Sequence, residues 1–338
     1  MNKKITILNC ILFFSYSGIS LADEITLKNG SHLVGEVISK EGNNLNFKTP
    51  FAGTIKIKWK NVVNLKTDDP VKILLKDNSI RISRVIKNEK DHVTIVGDSK
   101  TETLNQSEMS YIKPELWQLG EGYKIAGSAN VSLKHQSGNT DYQESIIDGS
   151  LTVRRLKDRV KLNAQYEKAK SSGESTANNW LFGGQYDYFI SDKTFWGPNF
   201  YLERDEFSDL KLRQSYGIHI GHQYFESKQL NLSIAAGLAK TFEDFDEAED
   251  DNFMSAIWGL NYDQYIIEDF VQLYHRQQGL FSLENSSKYV IKSWTGLRFP
   301  LYSGLSISTE AQIKYDSNDG DGVDKTDTTY LLKLGYEF

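Results

Sequence analysis

The stretch HQSGNTD, His135 to Asp141, puts a base (His135), a nucleophile (Ser137) and a carboxylate (Asp141) close together, the side-chain types of a hydrolase triad. A triad needs rigid geometry, which a Ser- and Asp-bearing loop does not supply. His219 and His222 lie three apart, so on a strand they point to opposite faces and cannot share a metal from one side. The run EDFDEAEDD carries Glu243, Asp244, Asp246, Glu247, Glu249, Asp250 and Asp251; it reads as a solvated tip with some capacity for divalent cations. In DSNDGDGVDKTD, Asp316, Asn318 and Asp327 fall at the first, third and twelfth positions of an EF-hand-like loop. Gly320 at the fifth position and Asp321 at the sixth invert the required order of ligand and turn glycine. There is no phosphate loop, dinucleotide fingerprint or nucleic-acid patch. The expectation is a protein that is not an enzyme, holds no cofactor and binds no nucleic acid.

The charges that alternate with apolar residues are more telling. Val160, Leu162, Ala164 and Tyr166 alternate with Lys161, Asn163, Gln165 and Glu167, and Leu305, Ile307, Thr309, Ala311 and Ile313 alternate with Ser306, Ser308, Glu310, Gln312 and Lys314. Polar faces with both signs of charge fit the lumen of a barrel rather than a dry core. The residues expected to line that lumen are Lys124, Arg154, Lys161, Arg213, Lys292, Arg298, Lys314, Lys333 and Glu310, with Asp148, Glu167, Asp187 and Glu203 among their acidic company. Cations along a water-filled path would favour anions; cations paired with the acids would plug it.

Positioning such residues takes long strands. Twelve alternating segments run from 123–135 to 327–338, each long enough to cross a bilayer at a tilt. Connections after even-numbered segments are tight, as in ISDK and YSG, whereas those after odd-numbered segments are mostly longer and polar, as in KSSGESTA and EDFDEAEDD. That asymmetry fits an outer-membrane barrel with both termini on the periplasmic side. The chain ends TTYLLKLGYEF, with Tyr330, Leu332, Leu334, Tyr336 and Phe338 on one face, so the last residue reads as a rung of the closed sheet. Tyr188, Trp196, Tyr262, Tyr315 and Tyr336 would supply interfacial girdles.

The region before the barrel has another design. LKNGSHLVGEVISKEGNNLNF aligns without gaps on LKDNSIRISRVIKNEKDHVTI, an internal repeat of short strands and Asn/Gly turns. A tandem SH3-like β region over 23–115, periplasmic, with a linker at 116–122 before the barrel at 123–338, is the expected arrangement. Lys56, Lys58 and Lys60 alternate onto one face, which reads first as a solvated face and second as a weak site for an anionic polymer such as peptidoglycan, and Trp59 points the other way into a core. Residues 1–22 read as a signal peptide cleaved after Ala22, which would remove Cys10, the one cysteine. Charge divides unevenly within a total of −6: positive over 23–115, strongly negative beyond.

The segments SLKHQSGNTD, RRLKDRVKLNAQYEKAKSSGESTANNW, FYLERDEF and KYDSN with VDKTDTTYLLKLGYEF make the C-terminal two-thirds similar to a family labelled salt-induced outer-membrane proteins. The resemblance implies an all-β chain with a transmembrane barrel in a Gram-negative outer membrane, and a link to salt or envelope stress. It implies no catalytic residues. The C-terminal residues Tyr336 and Phe338 resemble the insertion signal recognised by the barrel-assembly machinery. Outer-membrane lipid, lipopolysaccharide, that machinery and peptidoglycan are therefore the expected partners.

Overall fold

The computed structural model describes residues 22–89, 91–97, 100–138, 141–267, 269–317 and 325–338. The signal-peptide stretch up to residue 21 and most of the EF-hand-like loop, including Asn318, Gly320 and Asp321, lie outside the described residues. The chain divides into two units, 1–115 and 116–338.

In the first unit, β1 (Asp23–Leu27), β2 (His32–Glu41), β3 (Asn44–Thr49), β4 (Gly53–Lys58) and β5 (Val62–Lys66) are followed by β6 (Val71–Leu75), β7 (Ile80–Glu89), β8 (His92–Val96), β9 (Thr101–Asn105) and β10 (Met109–Ile112). The two sets of five repeat one another, each with a 3-10 turn before its last strand, Trp59–Asn61 in the first and Gln106–Glu108 in the second. Core positions correspond: Ile25 with Ile73, Val37 with Val85, Leu45 with Val93 and Phe47 with Ile95, none more than 1 % exposed. Even the β-bulge recurs, between Val37 and Ser39 and again between Val85 and Lys87. The Val37 amide donates to the Asp23 carboxylate at 2.7 Å and the Val85 amide to the Thr67 hydroxyl at 2.9 Å. The second copy is one residue shorter before its 3-10 turn, so Val62 and Leu65 correspond to Met109 and Ile112 at a changed offset. This is why the sequence repeat fades there. Antiparallel pairing of β10 with β2 and β6 joins the copies into one sheet over a shared core. Trp59 is buried in that core and Lys56, Lys58 and Lys60 are exposed.

The second unit is a closed antiparallel barrel of twelve strands. They are β11 (Lys124–Gln136), β12 (Tyr142–Arg154), β13 (Asp158–Ser171), β14 (Glu174–Phe189), β15 (Thr194–Asp205), β16 (Leu210–Glu226), β17 (Leu230–Phe245), β18 (Asp251–Ile267), β19 (Val271–Ser282), β20 (Tyr289–Pro300), β21 (Leu305–Asp316) and β22 (Thr326–Glu337). Period-2 alternation sends one set of side chains outward: Ile147, Ile218, Ile220, Leu238, Leu332 and Leu334 are exposed on the outer wall. Tyr188 and Trp196, paired in register, and Tyr336 with Phe338 are also exposed near the tight-turn end. An apolar outer wall around a polar interior inverts a soluble core and suits a lipid surround.

Three expectations change. The stretch KSSGESTA is not a long loop: β13 and β14 run on to a turn at Ser172 and Gly173, both with positive φ, as a tight hairpin requires. Likewise β17 and β18 absorb both ends of the acidic run, leaving only 246–250 as connection. The long-loop side is therefore less lopsided than composition suggests, because polar strand ends project past the apolar belt. The stretch read as a linker also differs, since Leu116–Leu119 forms a 3-10 turn with Trp117 and Gln118 buried.

Candidate functional site

The inward faces of the strands carry the charges, and these meet across the lumen in layers. Near the long-connection end, Arg213 on β16 spends its whole guanidinium fork on three carboxylates. Its Nε donates to Glu243 at 2.7 Å, Nη1 to Glu203 at 3.0 Å and Nη2 to Asp316 at 2.8 Å. Glu203 and Glu243 sit opposite Arg213 in register on β15 and β17, but Asp316 comes from β21 on the far wall. Lys292 on β20 donates to Glu203 and, at 3.1 Å, to the Tyr201 hydroxyl, both on β15. Lys314 on β21 reaches Asp205 on β15 at 2.8 Å, and Lys288 pairs with Glu243 and with Asp251. A guanidinium suits this position because its five donors in one plane can satisfy several carboxylates at once.

Deeper in, Gln165 on β13 donates to Gln312 on β21 at 3.2 Å and accepts from the indole of Trp294 on β20 at 3.3 Å. Lys333 on β22 pairs with Asp148 on β12 and Glu310 on β21, both at 2.6 Å, and Tyr274 donates to Glu310 at 2.8 Å. Toward the tight turns, Arg159 donates to Asp187 at 2.7 Å and to Gln223 at 2.6 Å, while the Nε2 of His219 lies 2.8 Å from Asp187. Asn199 meets the other ring nitrogen of His219 at 3.0 Å. Arg154 pairs with Glu226 at 3.0 Å, and its guanidinium lies over the rings of Phe189 at 3.9 Å and Trp117 at 5.1 Å. Arg298 pairs with Glu337 at 2.6 Å.

Among the residues expected to face inward, Arg154, Arg213, Lys292, Arg298, Lys314, Lys333 and Glu310 are thus all engaged in ion pairs. Lys161 is half-buried and forms no hydrogen bond or ion pair among the described residues. Lys124 begins β11 and is exposed, its ammonium 6.0 Å from the Trp117 ring. Tyr336 and Phe338 lie on the outer wall, and Phe338 exchanges both main-chain hydrogen bonds with Gly127, at 2.9 and 3.1 Å. His135, Ser137 and Asp141 are exposed, and no hydrogen bond joins any two of them. His219 faces the lumen, while His222 bonds Thr194 on the opposite face, as their spacing requires.

The residue that sequence reasoning misplaced is Glu243. It lies in an acidic run that reads as solvated, yet its side chain has no exposed surface and it anchors both Arg213 and Lys288. The available signal was parity, since Glu243 shares the inward face of Ala239 and Thr241, both buried.

The layers leave two cavities. A vestibule of about 510 Å³ is lined on β12 to β15 and β20 to β22 by residues including Glu144, Glu167, Asp205, Trp294, Lys314 and Asp327. An inner cavity of about 160 Å³ is lined by, among others, Asn199, Ser215, His219, Ile257 and Gln278. Glu203 and Lys292 line both, so their ion pair stands between them.

Among solved structures, the chain is similar to the NanC porin in a rhombohedral crystal form, at 13 % identity over 63 % of this chain and 99 % of that one, with a TM-score of 0.40. It is also similar to the translocator domain of the autotransporter NalP from Neisseria meningitidis, at 9 % identity over 65 % and 88 %, TM-score 0.36. The outer-membrane channel DcaP of Acinetobacter baumannii matches at 9 % identity over 94 % of both chains, TM-score 0.32. No curated protein matches the chain. The family described as "Protein of unknown function, DUF481" matches residues 129–338, well over half of the sequence, and the chain belongs to that family.

Proposed function

We propose that this protein is an outer-membrane barrel of the cell envelope whose lumen is held shut at rest by ion pairs, with the repeat-built N-terminal unit on the periplasmic side. The observation that supports this best is Arg213, bonded to carboxylates on three strands, one of them on the far wall. An open pore keeps its wall charges hydrated, whereas these are paired and almost fully buried. Proteoliposome swelling in a small sugar tests the reading. Wild-type protein should give no swelling above empty vesicles; swelling at the rate of a general porin would contradict it.

A second reading concerns the N-terminal unit, where the exposed Lys56, Lys58 and Lys60 favour contact with an anionic polymer of the cell wall. Full-length protein should sediment with peptidoglycan sacculi at low salt and lose that with all three lysines changed to Gln. No sedimentation at low salt would remove this reading. The link to salt stress is a proposal of the same standing, resting on the family resemblance.

A further inference from the structure

We infer that the Glu203–Lys292 ion pair is the gate between the vestibule and the inner cavity, and that the vestibule selects small cations; this rests on the closed-barrel reading. Three observations carry it. The first is position, since Glu203 and Lys292 are the charged pair lining both cavities, and Lys292 reaches Glu203 from a strand across the lumen. Withdrawing the Lys292 ammonium would join a vestibule of about 510 Å³ to an inner cavity of about 160 Å³.

The second is that Glu203 does not depend on Lys292 alone. Arg213 also holds it at 3.0 Å, and Tyr201 donates to it at 3.3 Å. Lys292 can therefore leave without stranding a buried carboxylate, which is the usual penalty for breaking such a pair. Arg213 has less freedom, because its departure would cost three buried acids a hydrogen bond, where that of Lys292 costs one.

The third is the charge of the approach. The vestibule is lined by the carboxylates of Glu144, Glu167, Glu203, Asp205 and Asp327 against the cations of Arg204, Lys292 and Lys314. Glu203 and Asp205 are taken by Lys292 and Lys314, but Glu144, Glu167 and Asp327 form no ion pair among the described residues. In the inner cavity the charges are Glu203 against Arg213 and Lys292, and they balance once Lys292 withdraws. The vestibule's negative excess then sets selectivity by concentrating cations at the entrance. The same vestibule is spread too widely to be a metal site, since no cluster of three potential ligands occurs among the described residues.

The test is chemical access rather than conductance, so it can fail while the closed-barrel reading stands. Gln278, which lines the inner cavity, is changed to Cys in a Cys10→Ser background and labelled in detergent with a cationic trimethylammonium thiosulfonate or its anionic sulfonate counterpart. The barrel without a gate mutation should label slowly with both. Adding Lys292→Met should raise the cationic rate at least tenfold, with the anionic rate well behind. Lys292→Arg, which keeps the charge, should restore slow labelling. Adding Glu144→Gln and Glu167→Gln to Lys292→Met should shrink the preference for the cationic reagent. Heat-modifiable mobility on gels confirms that each variant folds. Fast labelling without a gate mutation, no acceleration in Lys292→Met, or a faster anionic reagent would each overturn the inference.

Discussion

At the scale of single residues, two buried cations show how differently charge can be accommodated. Arg213 is stabilised by three carboxylates, and replacing it with Ala would take a hydrogen-bonded cation from each of the buried acids Glu203, Glu243 and Asp316. Removing one member of a buried pair costs about 3–5 kcal/mol, so Arg213→Ala should lower the urea midpoint of the folded barrel sharply, while a change at exposed Lys228 should leave it unmoved. Lys40 in the N-terminal unit has only neutral help: its ammonium donates to the carbonyls of Met109 and of Ser110, the latter at 2.9 Å, and lies 5.7 Å from the Trp59 ring. Burial, helped by the charge of Lys76, lowers its pKa to about 8. Between that value and its ordinary 10.5 the unfolded chain binds more protons than the folded one, so stability rises with pH across this window and is flat below it. Pulse proteolysis of the full chain between pH 7 and 10.5 should show protection of the N-terminal unit rising above pH 8 in the wild type, and no such rise in Lys40→Met. A fall in protection over the same window would show that the sign is wrong.

At the scale of elements, the barrel depends on its weakest seam. β11 and β22 share four register pairs, where β14 and β15 share nine. Main-chain bonds between Gly127 and Phe338 extend that short ladder, and Lys333 spans it by reaching Asp148 on β12, which also accepts from Asn130 on β11. Deleting Tyr336 to Phe338 should therefore abolish the heat-modifiable form, whereas Phe338→Leu, which keeps the main chain, should retain most of it. Refolding yield on gels distinguishes these outcomes, and an intact barrel after the deletion would show that the seam closes without its last rungs. The strands themselves were legible because period-2 alternation marks them regardless of what they touch: the segments read at 142–155 and 194–205 became Tyr142–Arg154 and Thr194–Asp205. Strand ends beyond the apolar belt were not legible, because residues such as Ser171 and Glu174 have loop composition while lying in the ladder. The cross-lumen partners were hidden for a different reason. Asp316 is 103 residues from Arg213, and which inward residues meet depends on the tilt and stagger of the closed sheet.

At the scale of the whole molecule, inward facing and pore lining are separate properties. Arg213, Lys292, Lys314 and Lys333, which would make a cationic wall, instead neutralise their acidic neighbours. Among the described residues lining the vestibule, Glu144, Glu167 and Asp327 form no ion pair, which reverses there the sign that the lysines and arginines alone suggest. The most direct test of the closed lumen is single-channel conductance of purified, refolded wild-type protein in planar bilayers. Heat-modifiable protein that inserts and gives no stable unit steps is the predicted result. Stable steps in the wild type, with the ion pairs intact, would contradict the account.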